Sequence, residues 1–158
     1  MSARVLCISG MDSSGGAGLL RDAATLAAMG VESCAAVTAV TAQSDAAVRE
    51  VQVMPPTLVA SQIAAACEGP VDAVKIGMLG DASLVDAVAS VLPDRPIVLD
   101  PVLVSTSGRS LLDADGIAAL LDRLVPHVAL MTPNLPELDA LAAALGVSSG
   151  QVIGQLLD

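Results

Sequence analysis

The chain has 158 residues with 17 acidic and 7 basic side chains, a formal net charge of −10, which argues against nucleic acid or an anionic membrane as its main partner. Phe, Tyr and Trp are absent, so the core must be aliphatic and no pocket can stack a ligand on an aromatic ring. The length suits one domain over residues 1–158. With no signal-like h-region and no apolar run of membrane-spanning length, a cytoplasmic location is expected. Cys7, Cys34 and Cys67 are widely spaced without a C-x-x-C pair, and read as apolar thiols rather than as a disulfide framework or zinc site.

The first strand is expected over Arg4–Ser9 and the first helix over Ala17–Met29. Between them, Gly10-Met-Asp-Ser-Ser-Gly-Gly-Ala-Gly18 is the most informative stretch. Its glycines allow a sharp turn and close ligand approach, and the helix that follows offers unpaired N–H groups. It lacks the Lys-Ser/Thr of a Walker A loop, and Arg21 stands where a dinucleotide fingerprint needs its third glycine.

Further strands are expected at Cys34–Val40, Ala73–Ile76, Ile97–Asp100 and Ala129–Thr132. Helices are expected at Pro56–Cys67, Ala82–Leu92, Asp113–Leu124, Pro136–Leu145 and Ser148–Leu157. Alternation of apolar strands with helices implies a mainly parallel sheet covered on both sides, with ligands bound beyond the carboxyl ends of its strands. The polar residues at those ends are Asp12 to Ser14, Thr41 to Gln43, Lys75 to Met78, Asp100, and Thr132 to Glu137.

Five blocks carry a resemblance: Gly10-x-Asp-Ser-Ser-Gly-Gly-Ala-Gly with Asp22, Thr38-Ala-Val-Thr-Ala-Gln43, Val74-Lys-Ile-Gly-Met-Leu79, Asp100-Pro-Val-Leu103 with Ser107-Gly108, and Thr132-Pro-Asn-Leu-Pro-Glu137. In order and spacing the chain resembles the hydroxymethylpyrimidine/phosphomethylpyrimidine kinases of thiamine biosynthesis, members of the ribokinase-like superfamily. The resemblance implies a three-layer α/β/α sandwich. It also implies ATP- and Mg²⁺-dependent phosphorylation of 4-amino-5-hydroxymethyl-2-methylpyrimidine and then of its monophosphate.

By position, Gly10, Asp22, Gln43 and Met78 match pyrimidine-binding residues. Asn134 and Glu137 match a motif that places magnesium and phosphate, with Glu137 the metal residue through water and Asp100 the acidic strand-end residue near them. Side-chain chemistry agrees: Gln pairs a donor with an acceptor, suiting an amino group beside a ring nitrogen, and Glu supplies the hard oxygen magnesium prefers. Each residue also has a plainer reading, with Asp22 a solvated helix carboxylate, Gln43 a strand end, Asn134 and Glu137 a turn and helix start, and Lys75 a structural residue.

Met11 stands where a small hydroxyl residue is usual, Leu26 and Leu58 where aromatics are common, and Thr106 where Lys is frequent. The resemblance covers the first three-fifths of a family member. The later Gly-Thr-Gly-Cys loop has no counterpart, so no catalytic residue is assigned. The expectation is an incomplete kinase that self-associates or takes a complementing C-terminal segment. The alternatives are a pyridoxal kinase-like enzyme and a non-catalytic pyrimidine-binding half-protein.

Overall fold

In the computed structural model, residues 2–44, 46–105 and 108–155 are described, with side chains described through Val152. Thr106 and Ser107, and the end of the last expected helix at Leu157, lie outside them. The elements run β1 (Arg4–Asp12), α1 (Gly18–Ala28), β2 (Glu32–Ser44), β3 (Ala47–Val53), α2 (Pro56–Ala66), β4 (Ala73–Ile76), α3 (Ala82–Ala89), β5 (Ile97–Leu99), α4 (Ala114–Ala119), β6 (Leu130–Met131), α5 (Leu135–Leu145) and α6 (Ser149–Gln155).

The six strands form one sheet in the order β3-β2-β1-β4-β5-β6. Every pairing is parallel except β2 with β3. The strand β3 was not expected from sequence, because Arg49 and Glu50 interrupt its apolar alternation. It needs only one apolar face, being the hairpin return of β2 at the sheet edge, where charged residues discourage pairing with another chain.

Period-two alternation sorts the strand residues between two faces. Leu6, Ile8, Val74, Ile76, Ile97 and Leu99 join Val59 and Ile63 of α2, Leu84, Val85 and Val88 of α3, and Leu141 of α5 in one aliphatic core. Cys7 and Leu19 are buried apart from it, on the side where α1 packs against β1 and β2. Helices thus lie on both faces of a mainly parallel sheet, as a three-layer α/β sandwich requires.

The helix expected over Asp113–Leu124 instead passes from α4 into a π-helical turn, Leu120–Leu124, and a 3-10 turn, Val125–His127. Pro126 has no N–H to donate to a preceding carbonyl, so regular α-helix cannot run through it. Its neighbour His127, the chain's one histidine, is exposed.

Candidate functional site

A cleft of about 160 Å³ opens beyond the carboxyl ends of β1, β2, β4 and β5. Its walls include Gly10, Asp12, Gln43, Lys75, Met78 and Asp100, with Val102 and Leu111 supplying apolar surface. Four of the residues selected from sequence, Gly10, Gln43, Met78 and Asp100, therefore share one cleft. Asp22 is outside its lining.

The glycine loop is shaped by Asp12. Its buried carboxylate accepts the Ser14 N–H at 2.8 Å, the Ser14 hydroxyl at 2.8 Å and the Ala17 N–H at 2.9 Å. Gly18 has φ +59°, and a Cβ there would lie 2.3 Å from the Gly10 carbonyl oxygen. The chain can fold back on β1 at this point only with glycine.

The far wall is fixed by reciprocal bonds. The Gln43 N–H donates to Ser13 Oγ at 2.8 Å, while that hydroxyl lies 3.0 Å from the Gln43 carbonyl. This ties the loop to the end of β2 and leaves the Gln43 side chain to the cleft, with its Oε1 3.5 Å from Thr41 Oγ1. The backbone of Met78 is pinned by two buried hydroxyls: Ser9 Oγ accepts its N–H at 3.2 Å, and Thr38 Oγ1 donates to its carbonyl at 2.5 Å. The Met78 sulfur then lies over Gly10, 2.9 Å from where a Cβ would stand.

The floor is charged. Lys75 Nζ donates to Asp22 Oδ2 at 2.8 Å and lies 3.8 Å from Asp100 Oδ2. Burial raises the Asp100 pKa above the usual carboxylate value, with the Lys75 ammonium opposing and the Asp22 charge adding to the shift. Burial, reinforced by Asp22, also pushes the Cys7 thiol up to about 11, which keeps it protonated and unreactive at neutral pH.

Asn134 and Glu137 are not part of this lining. They form a capping box at the start of α5: Asn134 Oδ1 accepts the Glu137 N–H and Glu137 Oε2 accepts the Asn134 N–H, each at 2.9 Å. Among the described residues no three His, Cys, Asp or Glu side chains are grouped to hold a metal ion. Beside the residues the resemblance points to, the structure places Lys75 in the lining and uses Ser9, Ser13 and Thr38 to hold the walls. For Lys75 a signal existed, since a lone lysine inside an apolar strand requires a carboxylate partner.

The family model described as phosphomethylpyrimidine kinase matches residues 12–153. The hydroxymethylpyrimidine/phosphomethylpyrimidine kinase of Escherichia coli (strain K12) is 41% identical over 143 residues, covering 88% of this chain and 54% of that protein. The chain thus spans about half the length of that relative. The crystal structure of phosphomethylpyrimidine kinase from Clostridium difficile 630 superposes with a TM-score of 0.83 at 33% identity, over 98% of this chain and 71% of that one. A pyridoxal kinase from Staphylococcus aureus in complex with pyridoxal gives a TM-score of 0.80 at 27% identity, over 90% of this chain and 54% of that one. From residue 12 to residue 153, then, sequence and fold agree, and the chain belongs to the phosphomethylpyrimidine kinase family.

Proposed function

We propose that this chain forms the pyrimidine-binding part of a kinase that phosphorylates 4-amino-5-hydroxymethyl-2-methylpyrimidine and its monophosphate in thiamine biosynthesis. The observation that carries this reading is the convergence of Gly10, Gln43 and Met78 on one cleft at the strand ends of a chain with this family match. Gln43 offers adjacent donor and acceptor atoms to the amino group and ring nitrogen. Met78, Val102 and Leu111 replace aromatic stacking with aliphatic contact to the ring faces. Asp100 can accept from a hydroxyl or amine.

ATP is the proposed phosphoryl donor, in keeping with a pyridoxal kinase neighbour from Staphylococcus aureus determined with ADP. Magnesium, which typically retains several waters and takes only one or two carboxylates plus phosphate oxygens, is compatible with the Glu137 carboxylate, because the capping box engages only Oε2. When bound, the ion would neutralise phosphate charge. Asn134 and Glu137 would hold it through water, with Asn134 fixing the carboxylate. The protein is proposed to act in the cytoplasm; no described helix is long and apolar enough to cross a membrane.

Pyridoxal is the second reading, favoured by a pyridoxal kinase structure that superposes at 27% identity, against 33% for the phosphomethylpyrimidine kinase structure. The Gln43 donor–acceptor pair favours the aminopyrimidine. Calorimetry with the aminopyrimidine alcohol, pyridoxal and ATP decides among them, with pyrimidine binding tightest. Pyridoxal binding more tightly than pyrimidine would overturn the assignment. Self-association, or complementation by the C-terminal half of a relative, is proposed through the β6 edge, where Leu130 is 55% exposed. Analytical ultracentrifugation and magnesium-dependent phosphorylation on complementation test this.

A further inference from the structure

We propose that Asp22 is a positioning residue that acts on a cleft ligand only through Lys75, whose ammonium, with Asp100, forms the polar floor a ligand meets. The inference rests on the pyrimidine reading above and replaces the direct Asp22 contact that the sequence resemblance implies.

Three observations support it. Lys75 and Asp100 line the cleft and Asp22 does not. The nearer bond from the ammonium is to Asp22, at 2.8 Å, with Asp100 at 3.8 Å. Lys75 projects from a strand and is paired in register with Cys7 of β1 and Val98 of β5, so its neighbours along the sheet are apolar and its partners must come from α1 and the strand ends.

The chemical consequence concerns orientation. An ammonium has three N–H donors on a flexible stem, and without a partner it samples many rotamers. Asp22 fixes one donor, which directs the remaining N–H groups toward Asp100 and the cleft. A ligand then meets a donor on Lys75 beside an acceptor on Asp100, an arrangement suited to a hydroxyl group, which both donates and accepts. The cluster of Asp22, Lys75 and Asp100 sets two carboxyl groups against one ammonium, and Asp12 adds a further carboxyl group to the cleft wall. The floor therefore suits a neutral alcohol or amine.

The test is a mutant cycle read by calorimetry with 4-amino-5-hydroxymethyl-2-methylpyrimidine on the whole chain, using Asp22→Asn, Lys75→Met and the double variant, with thermal melting recorded for each. Lys75→Met should weaken binding about tenfold, the scale of one charge-assisted hydrogen bond. Asp22→Asn should weaken it by a smaller factor in the wild-type background and by less than twofold in the Lys75→Met background. An equal loss in both backgrounds would mean that Asp22 touches the ligand itself, and overturns the proposal, as does wild-type affinity in Lys75→Met.

Lys75 is the chain's one lysine, so 15N-lysine labelling yields a single side-chain resonance that reads the pair without ligand and without the Lys75→Met variant. That resonance should move markedly in Asp22→Asn and less in Asp100→Asn; insensitivity to Asp22→Asn overturns the proposal. If the wild-type chain binds no pyrimidine while the resonance responds as stated, the substrate assignment fails and the Asp22–Lys75 coupling stands.

Discussion

The carboxylate of Asp12 accepts the backbone N–H of Ala17 at 2.9 Å, closing the glycine loop on the last residue of β1. Ala17 is the N-cap of α1 and has no side-chain cap to offer, so Asp12 anchors the helix start from within the strand by holding the N-cap residue's own N–H. Asp12→Ala should lower stability by about 1.5–3 kcal/mol, the worth of a hydrogen bond to a charged group, since it removes the charge-assisted bonds that hold the loop. Urea denaturation measures this, and Ser14→Ala should cost less than half as much.

Two glycines of the loop should respond differently to alanine. Gly18→Ala meets both a positive φ and the backbone carbonyl of Gly10, and should destabilise the fold by about 1–3 kcal/mol or more. Gly10→Ala crowds only the sulfur of the flexible Met78 side chain, at 2.9 Å, with Met78 Cβ and the Ala39 carbonyl at ordinary contact distances of 3.6 and 3.7 Å. It should leave the melting temperature nearly unchanged while displacing Met78 into the cleft and weakening pyrimidine binding. Parallel melting and calorimetry of the two variants check the contrast.

Gln43→Ala should weaken pyrimidine binding by about 1–3 kcal/mol, the worth of a good paired donor–acceptor contact. Stability should fall much less, because Ser13 holds the Gln43 backbone rather than its side chain. Calorimetry beside thermal melting separates the two effects.

The raised pKa of Asp100 has a definite sign in the stability profile. The folded state binds this proton more tightly than the unfolded chain, so the contribution of Asp100 is most favourable below the ordinary Asp pKa and is lost as pH rises through the raised value. Asp100→Asn removes that dependence. Measured across pH 3 to 7, the stability of wild type relative to Asp100→Asn should decline with rising pH; a difference that grows instead contradicts this account.

The sequence by itself determined the parts that rest on local pattern. Strands such as Arg4–Ser9 and Ala73–Ile76 and helices such as Ala17–Met29 follow from short-range periodicity and punctuation, and their alternation implies a parallel sheet with a site at its carboxyl edge. That Gly10, Gln43 and Met78 belong near one another was legible from motif resemblance, which set Asp22 beside them and Asp100 beside Asn134 and Glu137; the structure instead puts Asp100 in the cleft lining and leaves Asp22, Asn134 and Glu137 out of it. Only the tertiary structure decided the partners. β3 exists because β2 supplies its ladder, a contact no local pattern announces. Asp22 meets Lys75 across 53 residues of chain, and Ser9 and Thr38 reach the Met78 backbone from two different strands. Asn134 and Glu137 are the local exception, satisfying each other within one helical turn as their reading as a turn and helix start allowed. Sequence states which side chains can donate, accept or carry charge, but a polar group's partner is whichever complementary group folding brings within about 3 Å, and that is set by packing between elements far apart in the chain.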